Sequence, residues 1–380
     1  MLFLTLFAAQ SGVLVLSPLL TGIAKEFEVS TATAGQLRTV SGLTAAVVAL
    51  AVPLVGGRAR LRSILLAGLG VLAAANLASA AAPSIWALGA AQVAMGVAVG
   101  VLVSAGTTAA AEWASDDGRA RLLSAALMGQ ASAWVIGMPI VGVVADVDWR
   151  YGWLAVPLTV SLAALVLAWA GPDSPAPTAA GGIRRVLRDR NVAGWALGEL
   201  LANSAWAGTL VYAGALVAES YDASTATVGL VLALGGAAYL PGNFLIRRWT
   251  DAHARTLLIL LGLAAATTVV VFGGVRTGVW ESAAIFAVLG FLGGGRTLAG
   301  TALGAALARE NRLAAMGVRT ATLQFGYLLG AGLGGLALAA GGYPALGVLL
   351  GTLFVAGVLP HVVATMRPAP TAAPLTSRVE

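Results

Sequence analysis

Long apolar segments follow one another through the chain, separated only by short charged or turn-rich breaks. A helix needs about 20 mainly apolar residues to cross the hydrocarbon core of a bilayer. None of the segments alternates apolar and polar residues over about ten positions, as a strand of an outer-membrane barrel would. The sequence therefore predicts an all-α membrane protein with twelve transmembrane helices. The predicted segments are 2–23, 33–55, 63–82, 85–111, 120–144, 151–170, 191–217, 225–246, 256–274, 279–307, 315–339 and 343–366.

Composition excludes several other classes of protein. Charged residues make up 10% of the chain, against about 25% in soluble domains. The chain has no cysteine, and His253 and His361 are its only histidines, so we expect no disulfide, no metal site and no cofactor. The formal charge is +6, but the basic residues stand in short clusters between apolar segments. That placement indicates membrane topology rather than a nucleic-acid surface.

Basic residues are distributed unequally between the two sides of the predicted bundle. If the amino terminus is cytoplasmic, 17 of them lie on the cytoplasmic side and 3 on the opposite side. The positive-inside rule then predicts that both termini are cytoplasmic, in the plasma or inner membrane of a cell. The cytoplasmic set is Arg58, Arg60, Arg62, Arg119, Arg121, Arg184, Arg185, Arg188, Arg190, Arg247, Arg248, Arg255, Arg309, Arg312, Arg319, Arg367 and Arg378, and the opposite set is Lys25, Arg150 and Arg276.

Matching segments recur at a nearly constant offset. Residues 30–35 read Ser-Thr-Ala-Thr-Ala-Gly and residues 224–229 read Ser-Thr-Ala-Thr-Val-Gly. Arg62 and Arg255 begin similar apolar segments at an offset of 193, and Arg119 and Arg312 share that offset. We therefore predict a six-helix unit used twice in parallel orientation. The predicted divisions are a first bundle at 1–170, a cytoplasmic linker at 171–190, a second bundle at 191–366 and a cytoplasmic tail at 367–380.

Two six-helix halves with a basic middle loop resemble the major facilitator superfamily. The segment 137–142, Gly-Met-Pro-Ile-Val-Gly, and the segment 148–151, Asp-Trp-Arg-Tyr, are similar to motifs of its bacterial drug and sugar efflux permeases, which are proton antiporters. The stretch 118–121, Gly-Arg-Ala-Arg, is also typical of them. The resemblance implies the major facilitator fold, in which the first, fourth, seventh and tenth helices line a central cavity.

The resemblance also implies gating residues, with two departures. The family's loop after the second helix carries an Asp that helps to latch the halves together, and residues 56–62 here lack it. Gln92 stands where the family often has an intramembrane Arg, so an arginine relay there is not implied. The gating residues that the resemblance implies are Arg58, Arg62, Gly137, Pro139, Gly142, Arg248 and Asp251.

Two charged residues lie deep inside predicted helices. A charge in a membrane segment costs about 2.5–3.5 kcal/mol on insertion scales, so each requires a partner or a function. Glu199 in the seventh segment and Arg296 in the tenth lie at depths of about 12 and 16 Å at 1.5 Å per residue. They can form a structural ion pair or a site for substrate or proton coupling. Arg38, near the outer end of the second segment, is interpreted as snorkelling to the interface.

Polar and aromatic residues at helical spacing are candidates for substrate binding. Trp195, Asn203 and Trp206 share one face of the seventh segment with Glu199. Such a stripe suits an amphipathic organic ligand, although aromatic packing between helices explains it equally well. The remaining candidates are Gln92 in the fourth segment, Gln130 and Trp134 in the fifth, and Gln324 and Tyr327 in the eleventh, where Tyr327 corresponds to Trp134 in the repeat.

These features predict a secondary transporter that exports a small organic compound by proton antiport through alternating access. Uptake or uniport of a sugar or metabolite is an alternative, and a non-transporting membrane sensor is another. The sequence contains no HExxH and no P-loop, so we expect no enzyme activity. The predicted partners are a small-molecule substrate, protons and the lipid bilayer, without nucleic acid, and the chain is expected to act as a monomer. Glu199 is the predicted proton carrier because no other carboxylate lies deep within a segment.

Overall fold

Twelve helices make up almost all of the computed structural model, which describes residues 1–55, 59–113, 119–176, 187–308 and 312–366. We number them α1 to α12. In the first half they are α1 (Leu2–Glu26), α2 (Thr31–Val55), α3 (Leu61–Ala80), α4 (Ile85–Glu112), α5 (Arg119–Ser132, Ala133–Gly137 and Met138–Ala145) and α6 (Trp149–Ala168). In the second half they are α7 (Arg190–Tyr221), α8 (Thr225–Thr250), α9 (Ala252–Gly274), α10 (Val279–Leu307), α11 (312–340) and α12 (343–365).

The last two helices are joined by a tight turn rather than a loop. Eleven stretches of the described residues are long and apolar enough to cross a membrane, and the last of them runs over 49 residues. A straight helix of that length would measure about 73 Å, more than twice the thickness of a bilayer core. The backbone leaves the helical conformation at Gly341 and Gly342, and Gly342 has φ of 65°, which glycine adopts without strain. The chain therefore crosses twice, and the prediction of twelve helices is confirmed.

Prolines interrupt two helices of the first half. A π-helical turn covers Ala133–Gly137, directly before Pro139 in α5, and a second covers Leu154–Leu158 and contains Pro157 in α6. Proline has no backbone N–H, so a helix that contains it must rearrange its local hydrogen bonds. Both irregular turns lie inside membrane helices, where neighbouring helices can satisfy the freed backbone groups.

The two copies of the repeated hexamer form the same local structure. Ser30 accepts a hydrogen bond from the Thr33 N–H at 3.1 Å, and Ser224 accepts one from the Thr227 N–H at 3.2 Å. Each serine is thus the N-cap of a helix, α2 in one half and α8 in the other. The similarity in sequence therefore has a physical basis in helix initiation at equivalent places.

Glycines allow several of these helices to pack backbone to backbone. A Cβ atom added to Gly96 of α4 would lie 2.3 Å from the Ser41 carbonyl oxygen of α2, and one added to Gly208 of α7 would lie 2.8 Å from the Gly330 carbonyl oxygen of α11. Apolar burial gives helices no drive to associate in lipid, so close packing of small residues takes its place. The abundance of glycine in the sequence is explained by such contacts.

The two halves meet at one end of the bundle and separate at the other. Within α1, the segment Leu16–Glu26 packs against α7, whereas Leu2–Leu14 has no comparable contact with it among the described residues. Within α5, Met138–Ala145 packs against α8, and Arg119–Ser132 again has no comparable contact in the described chain. We call the joined end the closed side. The opposite end, where the Met1 side chain lies beside Gly171 after α6, is called the terminus side.

Candidate functional site

Glu199 of α7 and Arg296 of α10 form an ion pair, with 2.9 Å between Oε1 and Nη2. Arg296 Nη2 also donates to the Gly198 carbonyl oxygen at 3.3 Å. Glu199 has no exposed surface and Arg296 is 6% exposed, so the pair is buried. The structure brings together the two charges that stand out in the sequence, while their role in transport stays a prediction.

Arg319 is a third member of this group, and its place among the basic residues of the cytoplasmic loops is wrong. It lies inside α11, where its Nε is 3.8 Å from Glu199 Oε2 and its Nη2 donates to the Thr297 carbonyl oxygen at 3.4 Å. Ala315 and Val318, on the same turns of α11, are buried in a cluster with residues of α7 and α10. Glu199, Arg296 and Arg319 are called the charge cluster below.

Two glycines of α10 make room for the charge cluster. A Cβ atom at Gly300 would lie 2.6 Å from Glu199 Oε1, and one at Gly304 would lie 2.2 Å from the Trp195 ring. Trp195 donates its indole N–H to the Gly300 carbonyl oxygen at 2.9 Å. A side chain at either glycine would therefore displace the carboxylate or the ring that packs against α10.

Charged and titratable groups from the other helices of the second half surround Glu199. Tyr239 of α8 and His361 of α12 lie within electrostatic range of it, and Arg255 of α9 lies within range of His361. Among the acidic residues that the structure describes, only Glu199 lies in the interior of a helix away from its ends. The charge cluster therefore holds one negative and two positive charges.

Two atoms of the charge cluster have no hydrogen-bond partner among the described residues, Glu199 Oε2 and Arg319 Nε. A buried polar atom left without a partner costs about 1–3 kcal/mol, and more when the group is charged. The cluster is therefore incompletely satisfied as it stands. A proton, a water molecule or a ligand group can complete it.

Arg38 of α2 is a second buried cation, and the interpretation that it snorkels to the interface is wrong. Its side chain is 1% exposed, and its Nη1 donates to Ser41 Oγ at 2.9 Å. Its guanidinium carbon lies 4.1 Å from the centre of the Tyr327 ring in α11. Its Nε and Nη2 have no hydrogen-bond partner within the described chain. Because α2 packs against α11 at this height, the second half covers the guanidinium and blocks its path to water.

The Tyr327 ring does not offset the burial of Arg38. A cation above an aromatic ring is stabilised by about 2 kcal/mol or somewhat more when the site is desolvated. The penalty for burying an ion is several kcal/mol even after the protein relaxes. No carboxylate of the described residues pairs with Arg38, so its charge is not neutralised within that part of the chain.

A small cavity next to Arg38 joins helices of both halves. Ser17 of α1, Arg38 and Tyr327 contribute its polar groups, and Ser17 Oγ has no hydrogen-bond partner in the described part of the chain. The cavity holds about 10 Å³, which is close to the space that one water molecule needs. Its apolar lining residues are Val13, Leu14 and Leu16 of α1 and Leu210 and Val211 of α7.

Four predicted substrate residues follow α7 and α11 from the charge cluster toward Arg38. Asn203 Nδ2 donates to Thr322 Oγ1 of α11 at 3.2 Å. Gln324 is 3% exposed, and its Oε1 has no hydrogen-bond partner among the described residues. The ring of Trp206 lies 6.3 Å from that of Tyr239. With Tyr327, these residues are the polar and aromatic side chains of α7 and α11 between the two cationic sites, and they are called the track below.

Other predicted substrate residues lie against or near neighbouring helices, and their role in substrate binding stays a prediction. Gln92 is 1% exposed and its Nε2 donates to Ser79 Oγ at 3.3 Å, between α4 and α3. Trp134 of α5 packs against α8, since a Cβ atom at Gly236 would lie 2.4 Å from the Trp134 Cβ. Trp195 packs against α10, as described above. Gln130 is half-buried one turn before Trp134.

Among the predicted gating residues, Arg62 belongs to a contact that the sequence did not indicate. Arg60 and Arg62 both contact Asp173, at 2.7 Å and 3.4 Å, after the end of α6. The backbone N–H of Leu61 donates to the Ser174 carbonyl oxygen at 2.9 Å, so the two segments are also joined through the main chain. Both contacts lie within the first half, so they do not latch it to the second. We call residues 59–62 and 173–176 the loop bridge.

Gly142 lies at the closed side, in the contact between the two halves. A Cβ atom on it would lie 2.6 Å from the Thr225 carbonyl oxygen and 3.0 Å from the Gly229 Cα of α8. Asp146, at the end of α5, accepts a hydrogen bond from the Thr225 N–H at 2.7 Å and so caps α8 from the other half. At the same end, Thr31 of α2 donates to Glu219 of α7.

The remaining predicted gating residues contribute less. Gly137 closes the π-helical turn before Pro139, and a Cβ there would meet its neighbours at ordinary contact distances. Arg248 is exposed, with its guanidinium carbon 3.8 Å from the Trp249 ring centre. Arg58 lies outside the described residues, and so does the side chain of Asp251.

Comparison with known proteins identifies the family. The model of the Major Facilitator Superfamily matches residues 2–218 and again 195–380. No curated protein matches the chain. Among solved structures, the chain is similar to a bacterial homologue of the human lysosomal transporter Spinster in an inward-facing, unoccupied conformation. The TM-score is 0.74 and the sequence identity is 14%, and the alignment covers 96% of this chain and 94% of that one. The same homologue in an inward-facing, occupied conformation gives a TM-score of 0.73 and 15% identity, over 96% of this chain and 93% of that one. The chain therefore belongs to the major facilitator superfamily, and it is a multi-pass membrane transporter rather than an enzyme.

Proposed function

We propose that the protein is a secondary active transporter that exports a small organic compound in exchange for protons. In this proposal it acts as a monomer in the plasma membrane, with both termini in the cytoplasm. The substrate enters from the terminus side, where the halves are separated. Rocking of the halves then opens the closed side, and the substrate is released there.

The burial of Glu199 is the observation that carries this proposal. A group that carries protons across must hold one in one state and release it in another. Burial favours the neutral form of a carboxyl group, whereas a nearby cation favours the charged form. Glu199 has no exposed surface, one oxygen paired with Arg296 and the other without a hydrogen bond among the described residues. Its protonation is therefore controlled by how closely two guanidinium groups approach it.

The neighbouring helices supply the means to change that approach. Arg296 and Arg319 stand on α10 and α11, so a shift of either helix against α7 alters the distance from a guanidinium to the carboxylate. When a guanidinium withdraws, the buried carboxylate gains a proton, and when it returns, the proton is released. Coupling follows if withdrawal and return occur in different access states.

Flux in proteoliposomes tests the proposal. Protein is reconstituted with the pH indicator pyranine inside, and a panel of small organic acids, amines and sugars is added outside under an imposed pH gradient. At least one compound should cause proton movement with the wild-type protein. Glu199→Gln should abolish that movement while the compound still stabilises the variant against heat. The removal of a proton-binding group, rather than of the pocket, explains this separation.

Arg188→Gln is the matched control, because it also removes one charge but lies exposed in the linker. It should transport at the wild-type rate. Proton movement at the wild-type rate in the Glu199→Gln protein would remove Glu199 as the carrier. Transport of a compound without any proton movement in the wild type would favour uniport instead.

A further inference from the structure

Cationic groups outnumber acidic groups along the track between the halves. Arg38, Arg296 and Arg319 contribute three positive charges to the helix interiors, and Glu199 contributes the one negative charge among the described residues. Arg38 is 1% exposed and Arg296 6%, and the side chain of Arg319 is 22% exposed. Exposed counter-ions at the bundle ends therefore do not neutralise this excess.

Unpartnered atoms mark where a ligand group is missing. Arg38 Nε and Nη2, Arg319 Nε and Ser17 Oγ are all buried without a hydrogen-bond partner in the described chain. Each can donate a hydrogen bond. An incoming group that accepts several hydrogen bonds and carries negative charge satisfies the donors and the charge excess together, as carboxylates do with guanidinium groups.

The two cationic sites are connected through tyrosines. Tyr327 contacts Arg38 directly, and Tyr239 lies within electrostatic range of Tyr327 as well as of the charge cluster. Apolar side chains of α1 and α7 line the cavity beside Arg38, including Leu16 and Leu210. The surroundings suit a molecule with an apolar body and an anionic end rather than an inorganic ion.

Arg38 belongs to the first half, whereas Tyr327, Arg296 and Arg319 belong to the second. A ligand held by Arg38 and by residues of α11 therefore bridges the two parts that move during transport. Substrates of transporters built from two repeats typically bind at such a position, near the middle of the membrane.

We propose that the transported compound is an organic anion, with its negatively charged group bound by Arg38 in the gap between the halves. This inference rests on the proposed transport function but not on proton coupling.

Binding of matched ligands to the purified protein in detergent tests this proposal without any gradient. Benzoate, benzamide and benzamidine have similar size and carry charges of −1, 0 and +1, and aliphatic and sulfonate anions with their neutral analogues extend the series. At least one anion should raise the melting temperature and quench tryptophan fluorescence, and its neutral and cationic analogues should not. Arg38→Gln should weaken binding of that anion at least tenfold, Arg38→Lys should weaken it less, and Arg188→Gln should not change it.

The melting temperature without ligand adds a readout that a purely structural arginine would not give. Because no carboxylate of the described residues pairs with Arg38, the empty Arg38→Gln protein should melt at or above the wild-type temperature. If Arg38→Gln fails to fold, Arg38→Lys tests the same residue with the same ligands, and anion binding at the wild-type affinity in Arg38→Lys would overturn the assignment of the site to Arg38. Equal effects of anions and their neutral analogues on the wild type would overturn the proposal as a whole. Anion binding together with absent proton movement would instead leave this inference standing and remove the antiport mechanism.

Discussion

At the scale of single residues, the charge balance around Glu199 determines how substitutions there act. One carboxylate faces two guanidinium groups, of which Arg296 is close and buried and Arg319 is more distant and 22% exposed. The three positions are therefore not equivalent. Loss of the carboxylate leaves two cations without an anion, whereas loss of Arg319 leaves a balanced pair.

This asymmetry predicts an order of stabilities. Glu199→Gln should lower the free energy of unfolding by about 3 kcal/mol. This value is at the lower end of the range for removing one partner of a buried ion pair, because glutamine still accepts a hydrogen bond. Arg319→Gln should be close to neutral. The double variant should be more stable than Glu199→Gln alone, since it lacks one of the two unbalanced cations. Melting temperatures of the three purified proteins in detergent measure this order, and equal losses for Glu199→Gln and Arg319→Gln would contradict it.

The Glu199–Arg296 ion pair depends on the absence of a side chain at Gly300. Its Cβ position lies 2.6 Å from Glu199 Oε1, closer than atoms approach without a shift. Gly300→Ala should therefore push the carboxylate from Arg296 and reduce both thermal stability and proton movement. Gly317→Ala is a matched control on α11, because nothing lies within 4 Å of its Cβ position. The same melting and pyranine measurements report the result, and a Gly300→Ala protein that behaves like the control would contradict the contact.

At the scale of elements, the loop bridge joins the start of α3 to the chain that follows α6. It combines the Arg60 and Arg62 contacts to Asp173 with main-chain hydrogen bonds at Leu61 and Ala176, of 2.9 Å and 3.0 Å. Trp113 of α4 adds a hydrogen bond from its indole to Ser174 Oγ at 2.8 Å. Three connections of the first half are thus held together on the terminus side.

Hydrogen exchange tests the contribution of Asp173 to the loop bridge. The arginine contacts are partly exposed, so Asp173→Asn should cost no more than about 1 kcal/mol. The N–H groups of Leu61 and Ala176 should then exchange up to about fivefold faster, as expected for local opening. Asp222→Asn is the control, since Asp222 is exposed at the end of α7 and asparagine tolerates its left-handed conformation. Unchanged exchange at both groups would show that the main-chain contacts alone hold the loop bridge.

At the scale of the whole molecule, close backbone contacts at the closed side hold the halves in this conformation. Gly142 and Gly229 lie within van der Waals contact, and Asp146 caps α8 across the interface. Such contacts exist only while the halves are together at this end. They stabilise one access state and must break in the other.

A larger residue at Gly142 should therefore shift the population toward the other state. Gly142→Leu places its side chain against Thr225 and Gly229, so the closed side should open and the terminus side should close. The chain has no cysteine, so spin labels attach only at introduced ones. The distance between labels at exposed Val147 and Thr277 should increase, and that between labels at exposed Ser63 and Ala252 should decrease. Gly70→Leu is the control, because nothing lies within 4 Å of its Cβ position. Unchanged label distances in Gly142→Leu would contradict the role of Gly142 in holding the closed side shut.

The sequence by itself determined the features that depend on local composition. Apolar length predicted the number of helices, the repeated hexamers at 30–35 and 224–229 predicted a duplication, and Glu199 and Arg296 stood out because a membrane segment contains few charges. The family followed from the same local motifs. Each of these signals can be read within a single helix or its ends.

Only the tertiary structure decided which groups meet and which are covered. Arg38 looked free to reach the interface, but α11, almost 300 residues later in the chain, packs over it. Arg319 was counted with the basic residues of the cytoplasmic side, but it lies beside Glu199. The partner of Arg62 proved to be Asp173, beyond the next three helices. In lipid, apolar surface does not say which helix face contacts another. The physical reason is that contacts between helices depend on the fit of small residues and on paired charges from distant segments, and hydropathy records neither.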